Sequence, residues 1–187
     1  MTLVRPSQQM QSLGVIQQGT PILSRPAEPF DLPTDAAAAQ AVIDELFGAI
    51  DRIGRVHSFA KGMGIAAPQI GIPRAAAIVL PPTAGADPII LLNPRVTAVS
   101  DETDEQYEGC LSFFDVRGMV PRPLRMDVTA TPLDGVVTTM TYEFGLARLI
   151  AHEIDHLDGL LYTDRMRSGV HPIPVEEYRG TGMSWKY

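Results

Sequence analysis

Cysteine is nearly absent from this chain, which has one among 187 residues. An internal disulfide is therefore excluded, and Cys110 is expected to be a free thiol, as is typical of proteins in a reducing compartment such as the cytoplasm. Long apolar runs are also missing, since no stretch approaches the ~20 residues of a membrane-spanning helix. The first residues lack the apolar core and cleavage site of an export signal. We therefore expect a cytoplasmic protein that contacts no membrane.

Basic residues are also few, with 15 Lys and Arg against 22 Asp and Glu and a formal net charge of -7. Such a chain lacks the cationic surface with which nucleic-acid-binding proteins neutralise phosphates, so no specific nucleic-acid partner is expected. Its content of 45% hydrophobic residues is enough to build one well-buried core. Its 187 residues are few for two domains of ordinary size. We expect one domain over residues 1–187.

Proline density and apolar spacing indicate how the chain is divided. Residues 1–33 contain five prolines and are expected to form an extended arm. A helix is predicted from Asp35 to about His57, with Thr34 as its cap, because apolar residues recur there every three or four positions. Residues 167–187 contain Gly and Pro residues that oppose a continuous helix, so we expect a tail that wraps the domain.

The residue pattern in the middle of the chain predicts strands followed by a second helix. Short apolar or β-branched runs predict strands over 75–80, 89–92 and 95–99. Apolar and polar residues alternate over 124–131, and a turn at 132–135 leads into a further run at 136–142, which together predict an antiparallel hairpin. Helical spacing returns over 145–157, with Gly159 placed as a C-terminal cap.

The second helix carries the most informative motif, His152-Glu153-Ile154-Asp155-His156. At about 100° per residue, the two histidines lie one turn apart on the same face, and Glu153 lies to one side of them. This arrangement is typical of a divalent metal site with a proton carrier beside it. A catalytic metal site usually has three protein ligands, so the two histidines leave one ligand to be found. The fourth position is then open to water, and the metal lowers the pKa of that water toward about 7.

Two kinds of residue are candidates for the third ligand. One is Cys110, which lies among Glu, Gly and Ser rather than in an apolar run. The other is Glu176 or Glu177, which follow His156 by 20 and 21 residues, a separation that resembles that of thermolysin-like zinc peptidases. Spacing alone leaves both alternatives open.

Three segments together resemble one family, the peptide deformylases. Its signature is a Gly-x-Gly-x-Ala-Ala-x-Gln loop, a Glu-Gly-Cys-Leu-Ser strand and a Gln-His-Glu-x-Asp-His helix. The chain has Gly-Met-Gly-Ile-Ala-Ala-Pro-Gln at 62–69, Glu-Gly-Cys-Leu-Ser at 108–112 and Ala-His-Glu-Ile-Asp-His at 151–156. The motifs occur in the family's order, and the similarity covers roughly residues 19 to 165.

The resemblance implies an α+β fold in which antiparallel or mixed β-sheets surround a central metal-binding helix. It implies that Cys110, His152 and His156 hold one divalent metal, with iron(II) as the native ion and zinc, nickel or cobalt as alternatives that suit the same ligands. The implied reaction is hydrolysis of the N-terminal formyl group of N-formylmethionyl peptides or nascent proteins. A paralogue that deformylates another amine, such as a biosynthetic intermediate, remains open. A zinc endopeptidase is disfavoured because it leaves two motifs unexplained.

The resemblance also implies roles for individual side chains. Glu153 takes a proton from water and passes it to the departing amine, while the Gln69 amide and the Leu111 backbone N–H hold the formyl oxygen as charge builds on it. Substrate contacts are expected from residues on the three motifs and the helix. These residues are Met63, Gly64, Gly109 and Arg148.

Charged residues near the motifs raise further expectations. Arg148 lies one turn before His152, and we expect its long side chain to turn outward so that its cation reaches solvent. Asp155 lies on the other flank of the helix from Glu153 and either orients a metal ligand or anchors the helix. Glu108 and Arg122 are expected to pair near the site.

The C-terminal segment bears on partners. Bacterial members of the resembling family can carry a basic C-terminal helix that docks on ribosomal RNA. Here the segment after Met166 has only Arg167, Arg179 and Lys186 against Glu176 and Glu177. We therefore expect ribosome contact to be weak or absent.

Overall fold

A computed structural model describes residues 4–59 and 61–181 and places helices and short antiparallel strands along the chain. The α-helices within these residues are α1 (Pro6–Ser12), α2 (Ala36–Gly54), α3 (Phe144–Leu157) and α4 (Val175–Gly180). The strands are β1 (Met63–Ala66), β2 (Ala76–Leu80), β3 (Ile89–Leu92), β4 (Arg95–Val99), β5 (Thr103–Cys110), β6 (Phe113–Pro123), β7 (Arg125–Ala130), β8 (Thr138–Glu143) and β9 (Ile173–Pro174). Short 3-10 helices cover Pro21–Ser24, Ala67–Ile70 and Tyr162–Arg165.

The strands form three small sheets, with orders β1-β2-β3, β4-β7-β8 and β5-β6-β9. Every strand pair in these sheets is antiparallel, and a parallel bridge joins Glu28 to Arg74 outside them. The predicted hairpin is confirmed, because β7 pairs with β8 from Arg125 opposite Glu143 to Ala130 opposite Thr138. The α+β fold class is likewise confirmed.

Helix α3 lies at the centre of this arrangement and contacts strands from all three sheets. Its apolar residues Ala147, Ile150 and Ile154 belong to one core cluster with buried side chains of β2, β3 and β7. At its C-terminus, Gly159 has a φ of 76°, and the Leu160 N–H donates to the Asp155 carbonyl at 2.8 Å. This left-handed turn caps the helix as predicted.

The first part of the chain departs from its prediction. Residues 6–12 are helical rather than extended, because Pro6 stands at the first turn, where its missing N–H costs no helix hydrogen bond. The helix is anchored by buried Met10 and by the Ser7 hydroxyl and N–H, which donate to Asp115. The prediction that Thr34 caps α2 is also wrong, since Asp35 precedes its first residue.

The tail is ordered where it is described. Strand β9 pairs with β6 through Val116 opposite Pro174 and Arg117 opposite Ile173, and α4 follows directly. The described part of the tail, up to residue 181, thus contacts the domain through β6. The parts of the predicted arm and tail at 1–3 and 182–187 lie outside the described residues. Within the residues described, no helix has the length and apolar character needed to cross a membrane.

Candidate active site

Cys110 and the two histidines of α3 converge where β5 meets the helix. One donor atom from each of Cys110, His152 and His156 lies within 4.8 Å of the others, and His156 Nε2 is 3.2 Å from the Cys110 sulfur. In β5, Glu108 and Cys110 are buried and contact the histidines of α3, whereas Gly109 between them is exposed at the cavity. A change of register between Glu108 and Cys110 marks a bulge at the strand end, a device that re-aims side chains.

The electrostatics of this cluster favour the thiolate form of Cys110. Burial raises the pKa of Cys110, but the neighbouring His156 and His152 outweigh it and hold the pKa well below its usual range. The thiolate is therefore the favoured form. Burial lowers the pKa of His152, but Cys110 and Glu108 raise it well above its usual range, so a divalent cation would displace a proton from this ring. A thiolate with two imidazoles suits zinc, iron(II), nickel or cobalt. The donor set and its spacing therefore fit a metal ion.

Glu108 orients the first histidine and is itself held by an arginine. Its Oε2 lies 3.0 Å from His152 Nδ1, so the other ring nitrogen, Nε2, is left for the metal. Arg122 donates from Nε and Nη2 to the two Glu108 oxygens at 2.9 Å each, which confirms the expected pair. Burial raises the pKa of Glu108, but the Arg122 charge and these hydrogen bonds lower it further than burial raises it. The carboxylate is therefore ionised.

Arg148 does not reach solvent, so the expectation that its side chain turns outward is wrong. The residue is 2% exposed, and its Nη1 donates to Glu108 Oε1 at 2.7 Å and to the Val120 carbonyl at 2.9 Å. Its Nη2 donates to Asp104 Oδ1 at 2.7 Å. These acceptors, contributed by β5 and β6, compensate for the desolvation of the cation. These acceptors could not be predicted from local sequence patterns, because they are distant from Arg148 in the chain.

Asp155 anchors α3 through two arginines. Arg122 Nη1 donates to its Oδ2 at 2.6 Å, and Arg165 Nη2 donates to its Oδ1 at 2.7 Å. Of the two alternatives for Asp155, anchoring is the one that these contacts support. Because Arg122 also holds Glu108, the same contacts tie the helix to the carboxylate that orients His152.

Glu153 lies in the wall of the cavity beside the cluster and is 2% exposed. Burial raises its pKa to about 7, with the two imidazoles opposing this effect. Its Oε2 has no hydrogen-bond partner among the residues that the structure describes. A Cβ built on Gly64 would collide with Glu153 Oε1, so only glycine leaves room for the carboxylate. Glu153 can therefore hold and release a proton near neutral pH.

The amide of Gln69 is oriented by hydrogen bonds at both ends. Its oxygen accepts from the Ala66 N–H at 2.9 Å, and its nitrogen donates to the Ser112 hydroxyl at 3.1 Å and lies 3.6 Å from the Cys110 sulfur. The NH2 group therefore faces the metal cluster. Leu111 follows Cys110 directly and also lines the cavity.

The cavity over the cluster has a volume of about 280 Å³. The four residues expected to contact substrate all line it. Several lining residues were not predicted, although Tyr107 and Phe114 flank the motif at 108–112 and proximity to it could have indicated them: Phe59, Tyr107, Phe114, Arg117 and Tyr178. Glu176 and Glu177, the alternative ligands, are exposed on α4 and take no part in the metal-binding group found among the described residues.

Comparisons with known proteins agree with this geometry. A sequence profile of the polypeptide deformylase family matches residues 12–171. The chain belongs to this family. It is 34% identical over 174 residues to peptide deformylase 2 of Nostoc sp., covering 89% of this chain and 93% of the relative. It is also 34% identical over 168 residues to the peptide deformylase of Shouchella clausii, covering 85% and 92%.

Solved polypeptide deformylase structures share the fold. A class I type b enzyme from Acinetobacter baumannii superposes with a TM-score of 0.71 at 30% identity, covering 81% of this chain and 97% of that one. A structure of that enzyme with Met-Ala-Ser bound gives a TM-score of 0.70 at 28% identity, covering 89% and 100%. The predicted resemblance is therefore confirmed, and the chain is a metal-dependent hydrolase of the polypeptide deformylase family.

Proposed function

We propose that this chain removes the formyl group from N-formylmethionyl peptides and releases formate and a free amino terminus. The observation that carries the proposal is the convergence of Cys110, His152 and His156 within 4.8 Å, beside a cavity lined by Glu153 and Gln69. Membership of the polypeptide deformylase family supports the same reaction.

Cys110, His152 and His156 would hold the metal, and we propose iron(II) as the native ion. When bound, a divalent ion supplies positive charge that polarises water and the formyl oxygen. Glu108 keeps His152 in the orientation that offers its Nε2. A reducing compartment such as the cytoplasm would limit oxidation of the Cys110 thiolate.

In this proposal Glu153 carries the proton. Its unpartnered Oε2 accepts a proton from the attacking water and then donates it to the amine nitrogen as the C–N bond breaks. A pKa near 7 suits both steps, because the carboxylate can gain and lose a proton at neutral pH. Its burial keeps bulk water from competing for that proton.

Gln69 and Leu111 would stabilise the developing negative charge on the formyl oxygen. The Gln69 amide oxygen is already occupied by the Ala66 N–H, so its NH2 group is held toward the reaction centre before substrate arrives. Donors that are fixed in advance stabilise a transition state without reorganisation. The Leu111 backbone N–H is the second donor in the proposal.

The side chain next to the formyl group would enter the buried end of the cavity. Met63 and Leu149 contribute apolar side chains to the cavity lining, and Gly64 and Gly109 line it without side chains. An unbranched apolar side chain such as methionine suits this lining. The Acinetobacter baumannii relative with Met-Ala-Ser bound supports a peptide substrate of this kind.

The proposal is tested by anaerobic purification with metal analysis, followed by formate release from formyl-Met-Ala-Ser. The N-acetyl peptide of the same sequence is the matched control, since it differs by one methyl group on the acyl carbon. We expect rapid release from the formyl peptide and little from the acetyl peptide. Absence of formate release from the metal-loaded protein would contradict the proposed function.

A panel of small N-formyl amines separates the peptide reaction from that of a biosynthetic paralogue. Turnover of formyl-Met-Ala-Ser above that of every small amine supports the peptide substrate. Faster turnover of a small N-formyl amine than of formyl-Met-Ala-Ser would instead indicate a biosynthetic paralogue that uses the same metal site for deformylation.

A further inference from the structure

The cavity wall includes a residue that lies outside the segment matched by the family profile. The family profile ends at residue 171, yet Tyr178 of α4 lines the cavity. The described tail therefore contributes a side chain to the cavity wall, although none of the three motifs indicates it.

Helix α4 is held over the cavity by contacts on both sides. Strand β9 immediately before it pairs with β6 at Val116 and Arg117, and Val175 at the start of the helix is buried at 4% exposure. The ring of Tyr178 then meets the ring of Tyr107 on β5 edge-on, with centroids 5.2 Å apart. These contacts give Tyr178 a defined position at the edge of the cavity.

The two tyrosines lie at a different depth from the reacting groups. Cys110 and Glu153 are almost fully buried, whereas Tyr107 and Tyr178 are partly exposed. In a peptide whose formyl group reaches the metal ligands, the first side chain occupies the buried end. The second residue, about 3.5 Å further along an extended chain, comes closer to the mouth.

We propose that Tyr178 is a specificity-determining residue that, together with Tyr107, contacts the second residue of a formylated peptide and favours an aromatic or large apolar side chain there. This inference rests on the proposed deformylase function. An edge-to-face ring pair already exists at this position, and a third ring can add to it.

Steady-state kinetics on three amides test the proposal: formyl-Met amide, formyl-Met-Gly amide and formyl-Met-Phe amide. We expect the wild-type protein to favour the Phe over the Gly peptide in kcat/KM. Tyr178→Ala should reduce this preference roughly threefold to tenfold, the scale of an aromatic contact. The loss should be in KM rather than kcat, and formyl-Met amide should be unaffected because it has no second residue.

Two further variants separate contact from folding. Tyr178→Phe keeps the ring and should retain the preference. Glu177→Ala changes an exposed neighbour on the same helix that does not line the cavity, and it should behave like the wild type. Metal content and Tm are measured for each variant, and Tyr178→Leu replaces Tyr178→Ala if the alanine variant does not fold.

The outcomes distinguish this proposal from the proposed function. An unchanged Phe-to-Gly preference in Tyr178→Ala, or an equal loss on all three amides, would overturn the role of Tyr178 while leaving deformylation intact. No formate from any amide with the wild-type protein would instead overturn the proposed function, on which the inference depends.

Discussion

Arg148 and Glu108 form a buried ion pair in which Arg148 Nη1 donates to Glu108 Oε1 at 2.7 Å. The other oxygen of the same carboxylate faces His152 Nδ1 at 3.0 Å. Arg148 and His152 are one turn apart on α3, so the carboxylate from β5 bridges two positions of the helix. The strand that carries Cys110 is thereby joined to the helix that carries the histidines.

This relationship predicts an effect of Arg148 on metal binding. Arg148→Met removes one donor to Glu108 while Arg122 still holds both carboxylate oxygens. It should therefore weaken metal affinity by less than the ~10-fold to 100-fold expected for loss of Glu108 itself, which contacts the ligand His152. Arg148→Lys keeps a cation and should lose less. Competition with a chromophoric chelator measures the affinity. Arg125→Ala, which removes an exposed arginine on β7, is the control, and an equal loss in that variant would refute the specific role of Arg148.

Metal content separates the candidates for the third ligand. Cys110→Ala should lose metal and activity together, because its sulfur is the third donor within 4.8 Å. Glu176→Ala and Glu177→Ala should keep both, since their side chains are exposed on α4. Metal analysis after dialysis checks this. Retention of tight binding in Cys110→Ala, with loss in a glutamate variant, would favour the peptidase alternative.

Glu153→Ala should separate binding from chemistry. Its carboxylate is outside the metal-binding group, so the metal should stay bound. Turnover should fall at least ~100-fold, the usual scale for loss of a general base. Paired measurements of metal content and kcat give the answer, and near-normal kcat would rule out the proton-carrier role.

Gly64→Ala tests the space that Glu153 needs. The new Cβ would overlap the Glu153 carboxylate and displace it, and a shift of about 1 Å in a reacting group can cost ~100-fold in rate. The variant should therefore bind metal but turn over slowly. Gly54→Ala is the matched control, because a Cβ there meets nothing within 4 Å. Normal kcat in Gly64→Ala would show that the carboxylate can move without loss.

Ribosome binding should be weak. Of the basic residues in the tail, Arg167 is already paired with Glu105 at 2.7 Å, and α4 ends at Gly180 after one short helix. Few cations are thus offered to phosphates, whose contribution grows with the number engaged. Co-sedimentation with empty ribosomes at low and moderate salt measures this, and strong retention that depends on residues 167–187 would contradict it.

Local patterns accounted for much of the molecule. Helical spacing predicted α3 to within one residue at its start, and the His-Glu-x-x-His motif placed both histidines on one face. Alternation predicted the β7–β8 hairpin. These features depend on residues close together in the chain, so the backbone geometry of one helix or strand is enough to relate them.

Other features depended on contacts between distant segments. Arg148 is buried because acceptors from β5 and β6 surround it, and Tyr178 reaches the cavity because β9 pairs with β6. The order of residues established which side chains share a helix face or a strand face. Their burial, their partners and the depth at which each lies came from the packing of three sheets around α3, since desolvation and hydrogen-bond geometry exist only once those segments meet.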